Sequence, residues 1–356
     1  MMKILVVFTG GTIGSRVKNG IADVDTSLGY ELINLYRAGS EDCDKTEFVC
    51  VNPLNILSEN LTCDTLSQLC NYMLSIDYTC FDGVIVTHGS DTLAYTSAML
   101  GLLLSWVSVP IVLTAADYVI SLPYSNGLVN FWAAVDFIRG FSEGCHSNCG
   151  VFTVWKNSSD AEPCVYISTR LNEADGYADS FSSWGGVPFG VINGHTFVRN
   201  DNAVNPVFTE SNSMFSFLQN QRITLSNKVF MLQSYPGLAF SSVSIDGMRA
   251  ILLRLYHSAT ACTEGENTDF SRFAEKCAKN KVQIFVSSAK MTQYSYESYR
   301  KMLDKNQIPL YNIGMCAAYA KVMLMMSLDE AVIGEISESN IFYEILPNKE
   351  MERNKF

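Results

Sequence analysis

The sequence predicts an α/β protein in which a larger N-terminal domain, built on a mainly parallel doubly wound sheet, precedes a smaller C-terminal α/β domain. Three observations carry this. Short apolar runs rich in β-branched residues alternate with helix-length segments, the pattern of strands joined by crossover helices. The length, 356 residues, exceeds what one core comfortably serves. The charge-free run Val84-Ile-Val-Thr87 breaks into His88-Gly89-Ser90-Asp91-Thr92, which sets a hydroxyl and a carboxylate together ahead of a helix-like segment. A parallel sheet presents reactive groups at its carboxyl edge in this way.

Composition narrows the partners. A net charge of -11 with no dense Lys/Arg run excludes nucleic acid and anionic membrane surfaces, and leaves small neutral or zwitterionic substrates. The 11 cysteines are scattered and odd in number, and Met1-Met-Lys-Ile-Leu-Val-Val-Phe8 enters a strand pattern with no signal-peptide cleavage site. Both point to the cytoplasm, with reduced thiols. No charge falls between Asp91 and Asp117, but Pro110 divides that stretch and neither flank carries Lys or Arg, so it reads as a buried helix and a buried strand rather than a membrane span.

Taken in order, Lys3–Thr9 is a hydrophobic strand that breaks into Thr9-Gly10-Gly11-Thr12-Ile13-Gly14-Ser15, a turn in which backbone can approach a ligand closely. It lacks the G-x-G-x-x-G order of a dinucleotide fingerprint, and no cofactor is expected. Residues Ser15–Gly29 read as a mobile polar loop. A strand at Glu47–Asn52 leads into Pro53-Leu-Asn-Ile-Leu-Ser58-Glu59-Asn60, which can hold an amino-acid head group or simply supply turn and cap residues. A helix at Asp64–Ile76 returns the chain to the strand before His88, and this alternation predicts right-handed parallel crossovers.

A strand at Val109–Thr114, a turn through Ala115-Ala116-Asp117 and Tyr124-Ser-Asn126-Gly127, and a helix at Leu128–Phe141 follow. Cys145-His146-Ser-Asn-Cys149 offers three adjacent ligand types without a second pair, so a turn is favoured over a metal site, and no metal is expected. Strands at Gly150–Trp155 and Val165–Ser168 enter a loop from Thr169 to Phe181. From Gly194 to Asn227 the apolar rhythm fades. The domains are therefore drawn at 1–195 and 228–356, with 196–227 as the linker. Beyond it come strands at Val229–Gln233, Ala250–Tyr256 and Val282–Ser287, with helices at Asp269–Asn280 and Cys316–Ser327.

Thr12 and Ser90 each follow a strand of the first sheet, so parallel strands deliver two hydroxyls to one edge. A hydroxyl becomes a nucleophile when a neighbouring base takes its proton, and the oxyanion it creates needs backbone or side-chain donors. Asp91 beside them can instead hold an ammonium group. No G-x-S-x-G elbow or H-E-x-x-H motif is present, and none of His88, His146, His195 and His257 stands in a Ser/His/Asp context.

Thr9-Gly-Gly-Thr12-Ile together with Thr87-His-Gly-Ser90-Asp91-Thr92 resembles the L-asparaginase/glutaminase family, particularly its cytoplasmic type I bacterial branch. The likeness extends through Leu57-Ser58-Glu59, Pro110–Thr114, Tyr124–Gly127, Tyr235-Pro-Gly237 and the Cys316–Leu328 helix. It implies an asparaginase-like two-domain fold with one left-handed crossover, and sites completed where subunits pair in a homodimer or homotetramer. It also implies hydrolysis of the side-chain amide of asparagine or a relative through an acyl-enzyme, without metal or cofactor. By the same resemblance Thr12 is the nucleophile, Ser90 the second catalytic hydroxyl, and Asp91 the anchor of the substrate ammonium. Ser58 and Glu59 contact the substrate's α-groups, and Gly11, Gly89 and Ala115 complete the binding surface.

Three departures from the family pattern stand out. Ser90 replaces a threonine and keeps the hydroxyl. Arg170, in Ser168-Thr169-Arg170-Leu171, stands where the family has a lysine; a guanidinium stays protonated and cannot serve as a base. Lys156 is a nearby amine in the sequence. The family's lid tyrosine has no counterpart within Arg16–Gly29, leaving Tyr30 as a loose candidate, and its Tyr-Gly-Ser-Gly-Asn turn reads Tyr256-His257-Ser258-Ala259-Thr260. Besides an active amidohydrolase, the Arg170 substitution supports a catalytically weak homologue that binds an amino acid as a sensor or regulator.

Overall fold

The computed structural model describes residues 1–18, 21–24, 28–39, 45–144, 150–202, 213–289, 296–303, 307–329 and 333–347. The chain forms two compact units, Met1–Thr224 and Leu225–Phe356.

The first unit carries strands β1 (Met2–Phe8), β2 (Ser15–Lys18), β3 (Ile21–Val24), β4 (Thr46–Val51), β5 (Gly83–Thr87), β6 (Pro110–Thr114), β7 (Gly150–Trp155), β8 (Cys164–Ile167), β9 (Gly190–Asn193) and β10 (Thr196–Arg199). Its helices are α1 (Leu28–Gly39), α2 (Cys63–Leu74), α3 (Leu93–Leu103) and α4 (Gly127–Gly144). One eight-stranded sheet runs in the order β10-β9-β8-β7-β6-β5-β1-β4. Strands β4, β1, β5, β6 and β7 pair in parallel, and β7 through β10 pair antiparallel. Strands β5, β6 and β7 are buried along their whole length, as strands covered on both faces must be, which is why they read as unbroken apolar runs.

The apolar stretch after Asp91 resolves into α3, buried on every side, and the buried strand β6. No described helix is long and apolar enough to cross a membrane. Residues 15–29, expected as a loop, hold the antiparallel hairpin β2/β3 and the start of α1, in whose first turn Tyr30 falls. Helix α1 escapes the sequence reading because a glycine stands at each of its ends, Gly29 and Gly39, although Leu32, Ile33 and Tyr36 bury one face. Residues 196–227, read as a linker, begin with β10, which pairs with β9 at the sheet edge. The Cys145–Cys149 cluster lies outside the described residues.

The second unit holds a four-stranded parallel sheet, ordered β11 (Val229–Gln233), β12 (Ala250–Arg254), β13 (Gln283–Ala289) and β14 (Ile308–Tyr311). Helices α5 (Phe270–Lys279), α6 (Glu297–Leu303), α7 (Met315–Ser327) and α8 (Ile333–Glu338) accompany it. Phe240, Ile251, Leu253, Phe270, Phe273 and Val286 form part of its core. Asp269 caps α5 by accepting from the Ser271 amide at 2.8 Å, marking the expected helix start.

Candidate active site

Three adjacent parallel strands build the site. Strand β1 lies between β4 and β5, so the segments leaving all three emerge at one edge of the sheet. Backbone pairing continues past the strand ends. The Thr9 amide and hydroxyl both donate to the Thr87 carbonyl, at 3.2 and 2.8 Å, while Ile56 donates to Thr9 at 3.0 Å and Gly11 to Ile56 at 2.9 Å. The Gly11 amide is thus engaged with protein, and an oxyanion must find other donors.

Glycine is required where these segments touch. Gly10 and Gly11 have φ of +107° and +75°, and a Cβ on Gly11 would stand 2.4 Å from the Gly89 nitrogen. A Cβ on Gly89 would stand 2.3 Å from Ser58 Oγ. Gly11, Ser58 and Gly89 therefore meet at van der Waals limits, and Thr12 follows directly as the first residue of a one-turn 3-10 helix, Thr12–Gly14. Thr12 is half-buried, and α1 and β3 contact its turn.

Ser90 is half-buried and Asp91 exposed, in a turn closed by the Leu93 amide donating to the Ser90 carbonyl at 3.3 Å. Ser58 is buried on the 3-10 turn Ser58–Asn60, where Glu59 is exposed. Its hydroxyl donates to Asp91 Oδ2 at 3.3 Å, and its carbonyl accepts from Thr92 Oγ1 at 3.0 Å. Sequence reading passed over Thr92 as a site residue; its place after Ser90-Asp91 was visible, but the Ser58 contact depends on strand order.

His88 is fully buried beneath the turn, as a packed, hydrogen-bonded residue. Its Nδ1 faces the Gly89 carbonyl at 2.8 Å and its Nε2 the Thr96 hydroxyl at 3.1 Å. A carbonyl only accepts, so Nδ1 carries the proton and Nε2 of the neutral ring accepts from Thr96. Burial holds the imidazole pKa below its usual value, opposed by the bond to Gly89.

Ala115, at the end of β6, is fully buried, and its carbonyl accepts from Asn130 Nδ2 at 3.0 Å. The same Asn130 accepts from the Lys156 amide at 2.8 Å, while Asn126 Nδ2 donates to the Lys156 carbonyl at 3.0 Å. Two asparagines thus tie the end of β7 to the segment leaving β6; the sequence reading noted the Asn126 turn but not Asn130.

Arg170 occupies a different setting from the other site residues. Strand β8 runs antiparallel to β7, pairing Ile167 with Phe152, so the following turn Ser168–Arg170 does not leave from the carboxyl ends of the parallel strands. It packs against α3 and β7, and Arg170 is 6% exposed. The chain then returns along α3, where the Tyr95 hydroxyl donates to Glu173 Oε1 at 3.0 Å. Arg170 is therefore associated with the helix that Ser90, Asp91 and Thr92 introduce. In the second unit the Tyr256–Thr260 turn is closed by Tyr256 donating to Thr260 at 2.9 Å, with Ala259 at φ +61°.

The chain belongs to the asparaginase family of amidohydrolases: the model described as "Asparaginase, N-terminal" matches residues 3–200, more than half of the chain. The chain is similar to a glutamyl-tRNA(Gln) amidotransferase subunit of Methanosphaera stadtmanae, with 24% identity over 351 residues, 94% of this chain and 75% of that protein. The corresponding protein of Thermoplasma acidophilum is 36% identical over 136 residues, 38% of this chain and 32% of its own. In fold it resembles the thermostable L-asparaginase from Thermococcus kodakarensis, with TM-score 0.76 and 21% identity, over 98% of this chain and 100% of that one. L-asparaginase I from Vibrio cholerae gives TM-score 0.74 and 18% identity, over 97% and 99% of the two chains. At these identities the superpositions establish the fold.

Proposed function

We propose that this protein hydrolyses the side-chain amide of L-asparagine, or of a related amino-acid amide, to the acid and ammonia. The observation that carries the reading is the meeting of Gly11, Ser58 and Gly89 at the ends of adjacent strands, which brings the turns bearing Thr12, Ser90 and Asp91 to one edge. Thr12 Oγ attacks the amide carbon and its proton leaves with the departing ammonia. Water then cleaves the Thr12 ester to release the acid. Ser90 passes the proton, Asp91 anchors the substrate ammonium, and Ser58, Glu59, Gly11, Gly89 and Ala115 complete the binding surface. Arg170, at the family's lysine position, supplies no base, because a guanidinium stays protonated throughout the working pH range, and it acts on the site only through α3, against which its turn packs.

The names of similar proteins divide between L-asparaginases and amidotransferase subunits, so both asparagine and glutamine belong in the test. Purified protein is assayed for ammonia release from asparagine, glutamine and related amides, beside Thr12→Ala. Turnover lost in Thr12→Ala supports the reading; a folded protein that releases no ammonia from any of them rejects it. The reading also places the protein in the cytoplasm as a homodimer or homotetramer, checked by light scattering.

The buried Arg170 favours one alternative, a catalytically weak homologue that binds an amino acid as sensor or regulator. It requires ligand-induced thermal stabilisation with no turnover attributable to Thr12.

A further inference from the structure

We propose that Thr92 is a positioning residue that fixes the Ser58 loop against the Ser90-Asp91 turn, and so sets the affinity for the substrate's α-amino and α-carboxylate groups. The proposal rests on the amino-acid amide reading above.

Thr92 occupies the N-cap of α3. A threonine there ordinarily accepts a hydrogen bond from an amide of the first turn. Thr62 does so at the start of α2, accepting from the Thr65 amide at 3.2 Å in a complete capping box. Thr92 makes no such bond. Its hydroxyl instead donates across to the Ser58 carbonyl at 3.0 Å, linking residues 34 apart in sequence. The helix forgoes a cap, and the hydroxyl serves the neighbouring loop.

The loop is thereby tied to the segment Asp91-Thr92 at two points. Thr92 holds the Ser58 backbone and Asp91 holds the Ser58 hydroxyl, at 3.3 Å. Gly89 backs the same side chain so closely that no Cβ fits between them. The Ser58 carbonyl also accepts from the Leu61 amide at 3.1 Å inside its own 3-10 turn, so the bond from Thr92 is the one that ties that already formed turn, with Glu59 on it, to the start of α3. Without that bond the Ser58–Asn60 turn can shift as a unit against the Ser90-Asp91 turn, and a bound amino acid must restore its place at a cost in affinity. Attack by Thr12 on an already bound amide is unaffected, because Thr12 stands on a different turn.

Thr92→Val keeps the β-branched shape and removes the donor, whereas Thr92→Ser keeps the donor. The expected result is a KM about fivefold to tenfold higher in Thr92→Val, the equivalent of one neutral hydrogen bond. With it go a kcat within about twofold and a melting temperature within about 2 °C, since no cap bond is lost. Thr92→Ser restores KM. An unchanged KM in Thr92→Val overturns the proposal, as does a kcat loss or a fall in melting temperature that Thr92→Ser fails to reverse. Thr92→Ala is judged by the same criteria if Thr92→Val does not fold. Where wild-type protein releases no ammonia, the amide reading fails, and Thr92 is judged by aspartate affinity in titration calorimetry. A Kd raised in Thr92→Val and restored in Thr92→Ser supports the positioning role. Equal affinities, or no aspartate binding by wild type, overturn it.

Discussion

Ser58 Oγ donates to a carboxylate oxygen of Asp91 across 3.3 Å, joining the loop after β4 to the turn after β5. A bond of that length is weak, and Asp91 is exposed, so the carboxylate keeps acceptor capacity for an incoming ammonium group. Asp91→Asn removes the charge that would pair with the substrate and is expected to lower kcat/KM by about 10- to 100-fold, in the range of a charge-assisted bond. Ser58→Ala removes a neutral contact and is expected to cost about 3- to 10-fold. Ammonia-release kinetics on both variants decide the matter: equal losses, or a larger loss in Ser58→Ala, reject these roles.

The same junction predicts an asymmetry between two glycines. Gly89→Ala places its Cβ 2.3 Å from Ser58 Oγ, a side-chain atom, whereas Gly11→Ala meets the Gly89 backbone at 2.4 Å from a φ of +75°. Gly89→Ala is expected to destabilise by about 1–3 kcal/mol as an overpacked contact, with most of that recovered in Gly89→Ala/Ser58→Gly. Gly11→Ala is expected to cost more and to gain nothing from the Ser58 change, because backbone cannot retreat. Urea unfolding of these four variants, Ser58→Gly and wild type tests both cycles, and recovery of Gly11→Ala by Ser58→Gly would contradict the assignment.

Arg170 predicts the shape of the pH–rate profile. A lysine acting as base gives a rate that rises with pH as its amine loses a proton, whereas arginine cannot titrate in the accessible range. Wild-type kcat is therefore expected to lack an ascending limb attributable to this position, and Arg170→Lys, on a turn that does not leave from the carboxyl ends of the parallel strands, to introduce none. A limb present in wild type and unchanged in Arg170→Lys locates the base elsewhere, and Lys156→Met then tests the amine at the end of β7.

The two candidate-site turns were legible because each begins where an apolar strand breaks at glycine: Gly10-Gly11 after β1, and Gly89 after β5. What the chain's order conceals is which strands are neighbours. Ser58, Gly89 and Thr92 come together only because β1 sits between β4 and β5, a fact of pairing that no local pattern encodes. The same limit hid the setting of Arg170, since the reversal of β8 leaves no mark on a four-residue apolar run. The hairpin β2/β3 went unread because Ser15–Lys18 and Ile21–Val24 are short and carry charged residues. Strand β14 went unread for a related reason, having only four residues with Pro309 among them.

His88 gives the junction a pH dependence whose sign follows from its burial. Its folded pKa is depressed from the ordinary 6.5, chiefly by loss of solvent. Between the unfolded and folded values the unfolded chain binds the additional proton, so stability rises with pH there. The contribution is fully present above about 6.5 and is lost as pH falls towards the folded value, at no more than about 1.4 kcal/mol per pH unit. Urea unfolding from pH 7.5 to 5 is expected to show a steeper decline for wild type than for His88→Gln, and parallel declines would remove His88 from the account.

Lys321 and Glu344 form an ion pair at 2.8 Å with both side chains fully buried in the second unit. The pair is embedded in further bonds. Lys321 also donates to the Ser339 carbonyl, and Glu344 accepts from the amides of Ile341 at 3.0 Å and Phe342 at 2.8 Å. It thereby fastens the segment after α8 to the middle of α7. Two buried charges lose hydration, and their attraction, with these bonds, must offset that loss, so removing one partner is worse than removing both. Lys321→Met leaves a buried carboxylate facing apolar atoms and is expected to cost about 3–5 kcal/mol. Glu344→Gln keeps an oxygen for the backbone amides but leaves the ammonium unneutralised, at a somewhat smaller cost. In Lys321→Met/Glu344→Gln neither charge remains and at least one backbone amide keeps its acceptor, so stability is expected to recover beyond that of Lys321→Met. Urea denaturation midpoints of the three variants read this directly, and a double variant no more stable than Lys321→Met would show that lost packing, rather than an uncompensated charge, sets the cost.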